Sequence, residues 1–121
     1  MYKSFRDLQI YQKSYRLALK MHKISMSLPQ PMQFDLADQT RRASRSVPAN
    51  IAEGFGKRKS NKEFARYIQI AIGSKDEMMV HLDFLKDLGY IQQEMFDELQ
   101  GEYEELGKMM FGFLQHLTKV S

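Results

Sequence analysis

Cysteine and long apolar runs are what this sequence most clearly lacks. None of its 121 residues is cysteine, which excludes disulfide bonds and thiolate metal sites and is compatible with a reducing compartment. No run reaches the ~18 apolar residues that a membrane-spanning helix needs, and residues 1–7 lack the apolar core of a secretory signal. We therefore expect a cytoplasmic protein that is neither exported nor embedded in a membrane.

Catalytic and metal-binding motifs are also missing. The sequence has no G-x-S-x-G elbow, Rossmann fingerprint or phosphate-binding loop, and the nearest pattern, residues 54–57 (Gly-Phe-Gly-Lys), reads better as a turn that ends a helix. The three histidines, His22, His81 and His116, are far apart in sequence, and none belongs to an H-E-x-x-H pattern. We expect no catalytic residue, no metal and no cofactor. An enzymatic function would require a polar pocket that folding assembles from residues distant in sequence.

Acidic residues are scarce in the first part of the chain and basic residues in the last. Residues 1–75 contain 15 Lys or Arg and 5 Asp or Glu, whereas residues 76–121 contain 3 and 10, so these parts carry +10 and −7 within a total of +3. Such a division is typical of a surface that binds a polyanion, or of one that binds the oppositely charged face of another copy.

Length and apolar spacing predict a single all-α domain. A chain of 121 residues with 43% hydrophobic and 27% charged residues fits one core. Apolar residues recur every three or four positions, and the connections are short, which predicts an antiparallel up-down four-helix bundle over residues 1–121. The predicted helices are 5–28, 35–54, 61–88 and 92–118.

Specific residues set the predicted helix ends. Pro29 and Pro31 stop the first helix, and Pro48 is expected to kink the second without dividing it. Gly54 or Gly56 is expected to end the second helix in a left-handed conformation, as Gly89 does the third. Residues 60–63 (Ser-Asn-Lys-Glu) match a capping box that starts the third helix.

In the fourth helix, a heptad-like seam comprises Phe96, Leu99, Tyr103, Leu106, Met110, Phe113 and Leu117.

Basic residues form three candidate phosphate-binding clusters. A ridge on the first helix, a group on the second and a dense group at the turn between the second and third would supply affinity independent of RNA sequence. The up-down topology brings the last group to the same end as the chain start, where Tyr2, Phe55 or Tyr67 could stack on unpaired bases. The candidates are Lys3, Arg6, Lys13, Arg16, Lys20, Lys23, Arg41, Arg42, Arg45, Lys57, Arg58, Lys59, Lys62 and Arg66.

One stretch of the second helix is distinctive. Residues 39–43 (Gln-Thr-Arg-Arg-Ala) and 46–54 (Ser-Val-Pro-Ala-Asn-Ile-Ala-Glu-Gly) resemble the signature of the bacterial 23S rRNA intervening-sequence protein family, also called the four-helix-bundle protein family. Residues 5–8, 12–13, 71–74 and 88–90, together with Glu77, extend the resemblance over nearly the whole chain. Its structural motif here is Pro48, Asn50, Glu53, Gly54, Gly73 and Ser74, in which Asn50 and Glu53 could bond the loosened backbone or a nearby arginine.

The resemblance implies an antiparallel four-helix bundle and a homo-oligomer. A related protein, the accessory variability determinant of retroelements, forms a ring-like pentamer that binds nucleic acid and a reverse transcriptase, so a pentamer is the implied state. Tyr11, Asp35 and the pair Lys75-Asp76 depart from the usual family pattern. Two hypotheses stay open: a non-catalytic oligomer that binds RNA through its basic clusters, and a protein-interaction or assembly scaffold with no nucleic-acid role.

Overall fold

The computed structural model describes residues 2–119, and within this range the chain is helical with no β-strand. Short 3₁₀ turns precede α1 and α2, and the predicted number and order of helices are confirmed. The elements are a 3₁₀ turn at Phe5–Asp7, α1 at Gln9–Met26, a 3₁₀ turn at Gln30–Met32, α2 at Leu36–Gly56, α3 at Asn61–Asp87 and α4 at Gln93–Lys119.

The first helix begins later than the predicted residue 5. Ser4 caps a separate 3₁₀ turn, where its Oγ accepts a hydrogen bond from the Arg6 N–H at 3.1 Å and its own N–H donates to the Asp7 carboxylate at 3.1 Å. Leu8 then adopts an extended conformation with its side chain buried in the core, and α1 begins at Gln9. A local cap therefore competes successfully with the helical spacing of the apolar residues.

The second helix runs through its proline and ends at Gly56, one of the two glycines predicted to end it and two residues beyond the predicted range 35–54. α2 is one helix from Leu36 to Gly56 with Pro48 inside it, as expected in place of two helices; the kink itself stays a prediction. The prediction that Gly54 or Gly56 closes α2 in a left-handed conformation is wrong, because neither has a positive φ. Gly54 is buried inside the helix, where it contacts α3.

The predicted boundaries of the third helix agree better. The Ser60 Oγ accepts a hydrogen bond from the Glu63 N–H at 3.2 Å, so the expected N-cap is present. At the other end Gly89 has φ +83° and the Tyr90 N–H donates to the Leu85 carbonyl at 2.8 Å, which is the left-handed closure that the sequence predicted.

Consecutive helices pack side by side, in the order expected of an up-down bundle. α2 packs against both α1 and α3, and α4 packs against α3, whereas the backbones of α1 and α4 approach each other less closely. Of the predicted α4 seam, Phe113 is half-buried and the other residues are buried. No helix within residues 2–119 is both long and apolar enough to cross a membrane. The fully buried centre contains Leu17, Met21, Ile51, Ile68, Met78, Leu82, Leu85, Leu99, Tyr103, Leu106 and Met110.

Candidate nucleic-acid interface

The turn between α2 and α3 presents a dense group of cations at one end of the bundle. Backbone hydrogen bonds from the Lys57 N–H to the Gly54 carbonyl at 3.0 Å and from the Ser60 N–H to the Lys57 carbonyl at 3.2 Å hold the turn in place. Lys57, Lys59 and Lys62 are exposed, and none forms an ion pair with a described carboxylate. Their positive charges therefore remain available to an external anion.

The two arginines of this group are already engaged. Arg58 Nη1 donates to the Phe55 carbonyl at 3.0 Å, and the guanidinium lies 4.0 Å from the centre of the Phe55 ring. Arg66 pairs with Glu63 at 3.3 Å and lies 4.6 Å from the centre of the Tyr67 ring. These contacts hold both guanidinium groups in defined positions and neutralise part of the charge of Arg66.

The chain start lies at the same end of the bundle, as the topology predicted. Phe5 faces the last turns of α2, where it lines a groove together with Ala52, and the Arg6 guanidinium lies 4.5 Å from the centre of the Phe5 ring. The Lys3 N–H donates to Asp7 at 2.8 Å, and its side chain is exposed. We call the cations at this end of the bundle the basic end: Lys3, Arg6, Lys57, Arg58, Lys59, Lys62 and Arg66.

The aromatic residues proposed for base stacking are only partly available. Phe55 is buried and covered by Arg58, so the expectation that it stacks on a base is wrong. Tyr67 is half-buried, and its ring is approached by the Lys57 Nζ at 5.9 Å as well as by Arg66. Tyr2 is 52% exposed, and its ring makes no aromatic or cation–π contact with another described residue.

The basic ridge of α1 is divided between two surroundings. Lys13 lies 3.4 Å from Glu105 and 3.8 Å from Glu102, and its side chain is only 12% exposed, so this candidate phosphate ligand is already paired and largely covered. Lys20 lies 2.9 Å from Glu102 and 3.6 Å from Glu98, and the hydrogen bond to Glu102 raises the pKa of Lys20 above its ordinary value. These ion pairs join α1 to α4, whose backbones lie farther apart than those of the other neighbouring helices.

The other ridge cations, Arg16 and Lys23, are exposed and have no ion pair with any residue of the described range 2–119. The neutralised members, Lys13 and Lys20, sit on the side of α1 that faces α4. An external polyanion would have to displace the α4 carboxylates to reach them.

The arginines of α2 have separate surroundings. Arg41 is half-buried: its Nη1 donates to the Ser25 Oγ and the Gln33 Oε1, both at 3.1 Å, and its Nη2 donates to the Gln33 carbonyl at 3.1 Å. Arg42 pairs with Asp38 at 2.9 Å. The Arg45 Nε donates to the Arg41 carbonyl at 3.2 Å. Arg41 therefore ties α2 to the end of α1 and the following loop through neutral groups, and of the three arginines only Arg42 forms an ion pair with a described carboxylate.

The motif residues of α2 and α3 form an interhelical contact. The Asn50 Nδ2 donates to the Ser46 carbonyl at 2.8 Å and to the Ser46 Oγ at 3.0 Å, and that hydroxyl lies 2.8 Å from the Ser74 Oγ. Asn50 thus bonds backbone two residues before Pro48, at the Ser46 carbonyl and not at the Ser44 carbonyl that the proline leaves without its helical donor. Glu53 is exposed and pairs with no arginine of its own subunit within residues 2–119, so pairing with an arginine of a neighbouring subunit stays a prediction.

The three histidines and the buried Tyr103 are titratable side chains outside the basic clusters. Within residues 2–119 no three His, Cys, Asp or Glu side chains are placed to hold a metal ion. His81 is buried with its Nε2 3.4 Å from the Glu77 Oε2, whereas His22 and His116 are exposed on other helices. Burial raises the pKa of the Tyr103 phenol, and its hydroxyl has no partner among the described residues.

Sequence reasoning missed a groove between α1 and α2. The groove has a volume of about 480 Å³ and is mostly apolar. The only available signal was a surplus of apolar residues on α1, where the stripe is wider than one helix interface requires. Its lining includes Tyr11, Tyr15 and Leu19 from α1 and Pro48, Ala49 and Ala52 from α2.

Comparisons with known proteins agree with this architecture. A crystal structure at 1.70 Å of a protein of unknown function from the S23 ribosomal protein family, from Bacteroides thetaiotaomicron VPI-5482, superposes with a TM-score of 0.80. The two sequences are 22% identical, and the match covers 88% of this chain and 95% of the other, which shows a shared fold. No curated protein matches the sequence. The family model for the 23S rRNA-intervening sequence protein matches residues 6–112, so this chain belongs to that family.

Proposed function

We propose that this protein is a non-catalytic, homo-oligomeric RNA-binding protein of the cytoplasm whose RNA contact is the basic end. The observation that carries the proposal is the group of unpaired lysines at the α2–α3 turn, Lys57, Lys59 and Lys62, at the same end of the bundle as the exposed Lys3. Cations without an internal carboxylate release counterions when they meet phosphate, which supplies affinity independent of base identity.

The internal ion pairs restrict the proposed contact. Four cations of the predicted clusters are left out of the proposed contact. Lys13 and Lys20 pair with carboxylates of α4. Arg42 pairs with Asp38, and Arg41 donates to Ser25 and Gln33. Arg58 and Arg66 keep a supporting role, since their guanidinium groups are positioned by Phe55 and Tyr67. Tyr2 is the one aromatic residue of the three with a free ring for stacking.

Anisotropy of a fluorescein-labelled single-stranded RNA of about 20 nucleotides, titrated at several salt concentrations, tests the RNA contact. The double variant Lys59→Gln/Lys62→Gln should bind at least ~10-fold more weakly, with a salt slope smaller by about 1.4, since each phosphate contact on a single strand contributes ~0.7. The control Arg42→Gln/Lys86→Gln removes the same charge at the opposite end and should leave both quantities unchanged. Absent binding at low salt, or equal losses in the two variants, would overturn the proposal.

Homo-oligomerisation is part of the same proposal, and a pentamer is the state that the family resemblance implies. Half-exposed apolar residues on α1 and α3 support it, because soluble monomers rarely leave grouped apolar side chains uncovered. Light scattering of the purified chain measures the assembled mass directly, against 14.2 kDa for one copy.

The apolar groove also favours the second candidate, an assembly scaffold without a nucleic-acid role. A scaffold would form an oligomer that dissociates in high salt and gives no anisotropy change with RNA at any salt concentration. The RNA titration and the light scattering therefore separate the two candidates with one protein preparation.

A further inference from the structure

The groove between α1 and α2 leaves apolar side chains uncovered on the side of the bundle formed by these two helices. Tyr15 is 47% exposed and Leu19 is 50% exposed, although both belong to the apolar side of α1. On the facing side of the groove α2 contributes only small or compact side chains, Pro48, Ala49 and Ala52. The groove is therefore shaped to receive bulky apolar side chains.

The surroundings of the groove are cationic. Arg16 and Lys23 are three and four residues from Leu19, so they are its neighbours on the surface of α1. Arg45 lines the groove from α2, and its only hydrogen bond uses Nε, which leaves its terminal nitrogens free. Among the described residues no carboxylate lines the groove. An occupant should therefore combine apolar side chains with negative charge.

The outer face of α3 has that combination. Val80 is 50% exposed and Phe84 is 52% exposed, and Leu88 continues the same stripe. Four exposed carboxylates lie three or four residues from Val80 or Phe84 and so flank the stripe: Asp76, Glu77, Asp83 and Asp87. Asp83 has no ion pair with any described residue, whereas the others contact only an adjacent lysine or His81.

The two surfaces also agree in length. Tyr11 to Leu19 along the groove and Val80 to Leu88 along α3 each span eight residues, which is about 12 Å of helix. Cations flank the groove, whereas carboxylates flank the α3 face. The α3 face carries large side chains, and the α2 side of the groove carries small ones. Every copy of the chain carries both surfaces, so the matching partner is always present at the concentration of the protein itself.

We propose that the α1–α2 groove of one copy binds the outer face of α3 of a second copy, centred on Val80 and Phe84. This inference rests on the homo-oligomer of the proposed function and assigns its contact. Because the two surfaces differ, the contact is head-to-tail and leaves one groove and one α3 face open on any pair. Such a contact adds further copies in one direction and gives a ring where the rotation between copies closes, or an open filament where it does not.

Two single variants and their mixture test the contact. Leu19→Glu places a carboxylate in the groove, opposite the acidic face of α3, and Val80→Glu places a charge in the apolar centre of that face. Each variant alone should fall to the mass of one chain, 14.2 kDa, in light scattering. Mixed in equal amounts, they should form a 1:1 dimer and nothing larger, because one intact groove meets one intact α3 face.

The control is Phe111→Glu, which places the same charge at a half-exposed position of α4 and should leave the assembly unchanged. Circular dichroism checks that each variant is folded; Tyr15→Glu and Phe84→Glu form a second pair should either first variant unfold. A monomeric wild-type chain would overturn the proposed oligomer together with this contact. An oligomer that survives both substitutions, or a mixture that stays monomeric, would overturn the contact alone.

Discussion

A Cβ atom on residue 54 would lie 2.8 Å from the Cβ of Tyr67, so glycine at position 54 allows α2 and α3 to approach closely at this point. The Phe64 ring lies 3.0 Å from the same position. A Cβ is attached to the backbone and cannot move away by rotation, so a larger residue would push the helices apart. Gly56, two residues further along α2, has open space at the corresponding position.

Gly54→Ala should therefore lower the free energy of unfolding by about 1–3 kcal/mol, the usual cost of forcing extra volume into a packed contact. Gly56→Ala should instead raise it by up to about 1 kcal/mol, because alanine reduces the entropy of the unfolded chain without meeting a neighbour. Urea denaturation followed by circular dichroism measures both. Equal effects of the two substitutions would contradict the close approach at Gly54.

Two residues of the family motif should differ in their effect on stability. Asn50→Ala removes the hydrogen bonds to the Ser46 carbonyl and hydroxyl and should cost about 1 kcal/mol. Glu53→Ala should change the free energy of unfolding by less than about 0.5 kcal/mol, because Glu53 is exposed and has no described ion pair. Thermal unfolding of the two variants under identical conditions gives the comparison. A large loss of stability in Glu53→Ala would show that Glu53 makes a stabilising contact outside its own subunit.

The ion pair between Lys20 and Glu102 should couple α1 to α4 weakly and in a salt-dependent way. A double-mutant cycle of Lys20→Met and Glu102→Gln should give a coupling of up to about 1 kcal/mol at low salt, decreasing as salt is added. Lys23→Met with Glu102→Gln should be additive, since Lys23 has no described carboxylate partner.

The same pair has a defined pH dependence. The pKa of Lys20 is raised above its ordinary 10.5 in the folded state, so its contribution is fully present below pH 10.5 and is lost as the pH rises through the folded pKa. The stability difference between wild type and Lys20→Met, measured in urea at increasing pH, should therefore shrink in alkaline solution. A difference that is the same at neutral pH and in strongly alkaline solution would contradict the pairing.

Tyr103→Phe should stabilise the protein. The buried hydroxyl has no described partner, and removing it should raise the free energy of unfolding by about 1 kcal/mol. Because burial raises the pKa of this phenol above its ordinary 10.0, the unfolded chain loses the proton first, and wild-type stability falls as the pH rises above about 10. The advantage of Tyr103→Phe should therefore grow there. Tyr15→Phe, at an exposed position, is the control and should change little.

The fold was predictable because the information for it is local. Apolar spacing identified each helix, and prolines and Gly89 act within a few residues of the ends they define. The incorrect predictions concern positions where a particular hydrogen bond or helix contact selects one of several possible local structures. The cap that Ser4 and Asp7 form delays α1 to Gln9, and Gly54 serves a contact with α3 that no property of its immediate neighbours reveals.

The candidate site was less predictable because the ion pairs depend on which helices are adjacent. The turn between α2 and α3 is a cluster in sequence as well as in space, so Lys57, Lys59 and Lys62 could be grouped in advance. Lys13 and Lys20 could not be assigned without knowing that α4 lies beside them. A trace was present in the sequence, since Glu98, Glu102 and Glu105 recur at helical spacing on α4 as the lysines do on α1.

The α1–α4 ion pairs also determine how the molecule meets polyanions in general. Glu98, Glu102 and Glu105 act as a built-in competitor that holds Lys13 and Lys20. Displacing a tethered carboxylate costs more than displacing a mobile counterion, since the carboxylate stays at high local concentration. These α4 carboxylates thereby reduce the number of cations on the +10 segment that an external polyanion meets without first breaking an internal ion pair.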